Sequence, residues 1–129
     1  MKQRIAQIAL VVNDYDEAIH FYVEKLHFRL IEDTVLSHDK RWVLIAPSDP
    51  KSCYLLLAKA ASDEQKSHVG NQTGGRVFLF LHTDDIERDY KLMRKENIHF
   101  IKTPTEEAYG IVAVFEDLYG NLWDLIERK

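Results

Sequence analysis

Asp124 stands between Trp123 and Leu125 in the stretch NLWDLIE, the only acid before the terminal glutamate in what reads as a buried strand. Burying an unpaired carboxylate is costly. The position therefore calls for a metal ion, a bound substrate, a hydrogen-bond partner or water beside a turn. Gln7 poses the same question near the start, as the only interior polar residue of the apolar run RIAQIALVV, 4–12. An amide there either satisfies the sheet backbone or faces a ligand. A hydrogen bond between Gln7 and Asp124 would account for both residues without metal or catalysis. His82 closes the run RVFLFLHT, where strand alternation puts Phe78, Phe80 and His82 on one face. Its plain reading is a helix-entry residue contacting backbone; its functional one is a ring in the same site. The other histidines, His20, His27, His38, His68 and His99, show no H-x-H or H-E-x-x-H spacing and read as surface residues. Cys53 lacks a nucleophile's surroundings and reads as a small, buried apolar residue.

The chain that must position these groups has 129 residues, enough for one domain with a real core. At 46% hydrophobic and 29% charged it has the composition of a soluble globular protein. A net charge of -4 gives no basic footprint for nucleic acid and disfavours anionic membrane surfaces. No stretch is long enough to span a bilayer, and the first apolar run is too short for a secretory signal. The single cysteine cannot form an internal disulfide, so a cytoplasmic location is expected.

The patterns give the order of elements. The run 4–12 reads as a buried strand. Asp14 is placed to cap a helix, with Glu17 three residues on, and Ala18, Ile19, Tyr22, Val23 and Leu26 follow at helical spacing. Strands are expected over 28–36, 41–47 and 52–60. The stretch 61–75, polar and without periodicity, reads as a linker or lid. The series then repeats. A strand over 76–83 leads to a helix capped by Asp85, with Asn97 at a left-handed C-cap position. A strand over 98–102 is ended by Pro104. A final hairpin turns at DLYGN, where Asp117 can bond the turn backbone and Gly120 can supply a positive φ. The order is β-α-β-β-β twice, offset by about 70 residues, the signature of an internal duplication.

Three stretches, IALVVNDYDEAIHFY, FLFLHTDDIERDYKLMRKENIHF and YGIVAVFEDLYGNLWDLIE, resemble the vicinal oxygen chelate superfamily of glyoxalases, bleomycin-resistance proteins and extradiol dioxygenases. The resemblance covers all of the chain but 61–75, and the Asp-x-x-Gly-Asn-x-x-Asp-Leu pattern is its most specific part. It implies an α+β fold of two βαβββ modules, about 4–60 and 76–127, in a single domain over 1–129, with mixed, mostly antiparallel sheets around a cavity. It also implies a homodimer. In metal-dependent members four strands each give one ligand to a divalent ion that chelates the substrate and stabilises an enolate. Those positions fall here on Gln7, Leu56 (Leu55 if the register slips), Phe78 and Asp124. Leu56 and Phe78 cannot ligate. His82, about 13 Å along the strand from Phe78, is too far to replace it.

The first expectation is therefore a metal-independent small-molecule binding protein without cofactor, its pocket lined by Gln7, Tyr54, Phe78, Phe80, His82 and Asp124. The second is a glyoxalase- or dioxygenase-type enzyme holding Ni, Zn, Fe or Mn. The third is a metal-free lyase or isomerase with Asp124 as its catalytic base.

Overall fold

The apolar run at the start becomes strand β1, Gln7–Val12, in a computed structural model describing residues 1–129. Asp14 caps the helix that follows: its carboxylate accepts the Glu17 amide at 2.8 Å. Helix α1, Tyr15–Ile19, widens into a π-helical segment over His20–Lys25, and together they bury Tyr15, Ala18, Phe21 and Tyr22. His27 reverses the chain with a φ of 61°. Strands β2 (Arg29–Ser37), β3 (Lys40–Ala46) and β4 (Tyr54–Lys59) complete a sheet of order β1-β4-β3-β2. β1 runs parallel to β4 and the other pairs are antiparallel. Alternation gives this sheet one buried face of Leu10, Val12, Val43, Ile45, Leu55 and Leu57. Arg41 ties the helix to the sheet. It grips Asp33 with two bonds, at 3.1 and 2.7 Å, meets Asp16 at 2.9 Å and lies over the Tyr15 ring.

The expected linker is not wholly irregular. Helix α2, Asp63–Ser67, lies in it, with the Ser62 hydroxyl accepting the Gln65 amide. Gln65 in turn accepts the Ala61 amide at 2.8 Å. A five-residue helix is too short to show a 3.6-residue period, but Ser62 followed three residues on by Gln65 is the sequence of a capping box.

The second unit repeats the first. β5 (Val77–His82), helix α3 (Ile86–Lys95), β6 (Phe100–Glu107), β7 (Gly110–Glu116) and β8 (Leu122–Arg128) form a sheet of order β5-β8-β7-β6, again with its first and last strands parallel. Asp85 caps α3 through the Arg88 amide at 3.0 Å, and Glu127 accepts the Ile86 amide at 2.9 Å. Asn97 has the left-handed φ of 60° expected of it. One expectation fails here. Pro104 does not end β6, which continues to Glu107. β6 is an edge strand, and its pairing with β7 shifts register between Lys102 and Thr105. A missing N–H costs no ladder bond at such a place.

The chain thus has the α+β character and the doubled βαβββ order expected of it. It divides into two units, Met1–Val69 and Gly70–Lys129. No helix is long and apolar enough to cross a membrane.

Candidate functional site

The second sheet has two unlike faces. Towards α3 an aromatic chain runs from Tyr90 to Phe100 (ring centroids 4.7 Å apart), Phe115 (5.8 Å) and Trp123, which stacks on Phe115 at 5.8 Å. Phe100, Phe115 and Trp123 lie on three neighbouring strands in direct register. One residue along β5, β7 and β8, alternation turns the side chains to the other face, and on β6 a register shift brings Lys102, two residues from Phe100, into the same row. There the register sets Phe80 beside Asp124, Asp124 beside Val114, and Val114 beside Lys102. A single row across four strands therefore carries an aromatic ring, a carboxylate, an isopropyl group and an ammonium. Strand spacing puts the two charges about 10 Å apart at the backbone.

Asp124 is half-buried, and burial pushes its carboxyl above the ordinary aspartate range. The charge of Lys102 pulls it back only in part. Lys102 is itself engaged, its Nζ lying 3.3 Å from Glu107 Oε1. Phe80 is 63% exposed, a large amount for a phenyl ring in the body of a strand. The shift at Asp124 has a consequence for stability. Because the folded chain holds the proton more tightly than the unfolded one, the ionised form weakens the fold. The contribution of Asp124 is fully present below its unfolded pKa, about 3.9, and is lost as pH rises through the raised folded value. Asp124→Asn is therefore expected to unfold at a higher temperature than the parent at pH 7. The two melting temperatures should converge near pH 3.5, and an equal gap at both pH values would refute the assignment.

The other sequence-predicted residues are distributed as follows. His82 stays on the face of Phe80, opposite Ile126, and is exposed at the end of β5. Phe78 does not join them. The pairing of β5 with β8 shifts between Val77 and Leu79, and the Phe78 ring meets Trp123 edge-on at 6.2 Å. The bulge breaks the alternation that aligned Phe78 with Phe80 and His82. Gln7 and Tyr54 are paired neighbours on β1 and β4, both half-buried. Leu56 lies one step along that same face, between Ala9 and Leu44. Lys102 went unnoticed in the sequence. β6 slips register on both sides of it, so its face cannot be counted from the ends of the strand.

A chelated divalent ion does not fit these residues. Leu56 and Phe78 offer no donor atom. Asp124 has Phe80, Val114 and the cationic Lys102 around it, and within neither unit do three His, Cys, Asp or Glu side chains converge. The other conspicuous acid, Asp117, is a structural clamp. One of its carboxylate oxygens accepts the amides of Tyr119, Gly120 and Asn121 at 2.9–3.1 Å, and the other accepts the Asn121 side-chain amide at 3.0 Å. Gly120 has a φ of 103°, completing the turn with the expected bulge. Asn121 also accepts the Gln72 amide at 3.2 Å, pinning the incoming segment to the turn.

This architecture has clear counterparts. Residues 4–125 match the sequence model of the Glyoxalase/Bleomycin resistance protein/Dioxygenase superfamily. An uncharacterized protein of Shewanella frigidimarina (strain NCIMB 400) is 61% identical over 128 residues, spanning 98% of this chain and 95% of that protein. Among solved structures, UcmS2 superposes with a TM-score of 0.86 at 27% identity, covering 98% of this chain and 99% of its own. TnmS3, an antibiotic binding protein from Streptomyces sp. CB03234, gives 0.80 at 24% identity, with coverage of 99% and 98%. At that identity TnmS3 bears on fold alone.

Proposed function

The chain belongs to the Glyoxalase/Bleomycin resistance protein/Dioxygenase superfamily, and from that premise we propose that it is a metal-independent binding protein for a small, largely apolar molecule. The observation that carries this reading is the row Phe80–Asp124–Val114–Lys102 on the sheet face away from α3. An exposed ring and a branched aliphatic offer contact area. Two charges placed among them offer orientation, the usual composition of a site that selects a ligand. His82 extends this face along β5. Gln7 and Tyr54 form the corresponding polar and aromatic pair on the first sheet. TnmS3, with the same fold, is an antibiotic binding protein, which supports ligand capture as a use of this architecture. Metal independence is supported by the donor chemistry, since two of the four family positions are Leu56 and Phe78.

The test is thermal unfolding in the presence of a panel of naphthalene derivatives and other polycyclic aromatics. A ligand present at a hundred times its dissociation constant should add about 2.7 kcal/mol to the stability. The gain should survive EDTA and vanish in Phe80→Ala. Loss of the effect with EDTA and its return with Ni, Zn, Fe or Mn would replace this reading with a metal-dependent enzyme. One observation favours a second reading. The raised pKa of Asp124 suits a general base, so the chain would be a metal-free lyase or isomerase. Turnover that Asp124→Asn abolishes while binding persists would establish it.

A further inference from the structure

The two charges of the row are not equivalent. Lys102 already has a partner in Glu107. Asp124 has Phe80 and Val114 as its cross-strand neighbours, and the only charge that moves its proton affinity is the more distant Lys102. Two carboxylates, those of Asp124 and Glu107, thus face one ammonium, and this part of the face carries an excess negative charge. The carboxylate left over is the one beside the 63%-exposed Phe80 ring. A phenyl ring and a carboxylate on register-paired residues of adjacent strands, whose backbones lie about 4.8 Å apart, form two walls of a cation site. The ring attracts positive charge through its quadrupole and the carboxylate through its formal charge. A neutral ligand covering Asp124 would leave that carboxylate desolvated and unpaired. An anionic ligand would meet its repulsion directly.

Resting on the binding reading above, we propose that the ligand of this face is an aromatic or aliphatic amine. Its apolar body lies along Val114, and its ammonium sits between Phe80 and Asp124. Lys102 then serves specificity. It stands at the far end of the row, where it repels a second positive charge and confines the ammonium to the Phe80 end.

Isothermal titration of the full chain with three probes of one shape tests this: 2-(aminomethyl)naphthalene, 2-naphthalenemethanol and 2-naphthylacetate. The amine should bind about tenfold more tightly than the alcohol, and the acid more weakly than either. Asp124→Asn should bring the amine to within about twofold of the alcohol, weakening the amine and tightening the alcohol, which no longer covers an unpaired carboxylate, and Lys102→Met should tighten the amine. If amine and alcohol bind the parent chain equally, and Phe80→Ala weakens both, the face binds ligands but the cation assignment fails. If Asp124→Asn weakens all three alike, the residue shapes the face and the assignment also fails. If none binds, or binding ignores Phe80→Ala and Asp124→Asn together, both readings fall. Each variant is first melted. One that does not fold is replaced by Asp124→Ser or Phe80→Leu and judged by the same outcomes.

Discussion

Asp117→Ala is expected to lower the unfolding free energy by about 3–4 kcal/mol, far more than its place in a surface hairpin suggests. The residue is 5% exposed and Asn121 is 3% exposed, so their polar atoms have little access to water. Alanine would strand the Tyr119 and Asn121 backbone amides and the Asn121 side-chain amide together, while the Gly120 amide would keep only the Asp117 carbonyl it already shares. Hydrogen bonds to an ionised group are the stronger kind, and a buried donor left without an acceptor bears its full desolvation cost. Asp117→Asn should cost roughly half as much. Its oxygen can still take the backbone amides, but its new amide would confront the Asn121 amide, donor against donor. Urea unfolding of the three proteins measures both numbers. Near-neutral behaviour of the alanine variant would mean that water already serves the turn. The effect should also reach the binding face, because β8 begins at Leu122 and the turn sets its register on β7. Asp124 is placed by Asp117.

The most family-specific stretch of the chain is therefore specific for a turn. The pattern Asp117–Asn121 could be seen in the sequence and its fold meaning inferred, since Asp and Gly at these spacings have few other uses. Duplication was legible for the same kind of reason. Capping is local chemistry, and Asp14 and Asp85 each cap as their sequences suggest. The repeat even holds at the far ends of the two helical segments, where His27 and Asn97 share a φ near 60°. Periodicity could not foresee this for His27, because a single left-handed residue leaves no period, although histidine shares with asparagine an enrichment in that region.

What stayed hidden depends on pairing between strands. Whether Phe78 shares a face with Phe80 turns on one extra residue in β5, and whether Lys102 faces Asp124 turns on two register shifts in β6. A bulge is an agreement between two strands and leaves no period in either. Pro104 misled in the same way. Proline forbids a ladder bond only where one is required, and the edge position of β6 follows from the strand order of the whole sheet. The chemistry of Asp124 was thus apparent as a question in the sequence, while its neighbours, which decide the answer, were not.

Gly110→Ala should be the most damaging single methyl that can be added to this sheet. Gly110 opens β7 with a φ of 154°, and a Cβ there would lie 2.3 Å from the Glu127 carbonyl oxygen and 3.0 Å from the Arg128 Cα. Both obstacles are backbone of β8, the central strand to which Gly110 is paired. No side chain can swing aside, so the two strands must part at this end or the hairpin must refold. A cost of about 3 kcal/mol is expected. Gly74→Ala is the control that separates crowding from backbone preference. Gly74 also has a positive φ, 70°, but a Cβ there meets nothing within 4 Å. Only the left-handed penalty applies, about 1 kcal/mol. Equal costs for the two variants would mean that β7 and β8 do not approach as closely as drawn. If instead Gly110→Ala is the more severe, amide exchange should localise its damage to the Gly110–Arg128 end of the pair. The centre of the row, Val114 and Asp124, lies on these same two strands, four positions away from the clash. Partial retention of ligand binding in a destabilised Gly110→Ala protein would show that the face is held from the Asp117 turn. Loss of binding in step with loss of stability would show that it depends on the hairpin as a whole.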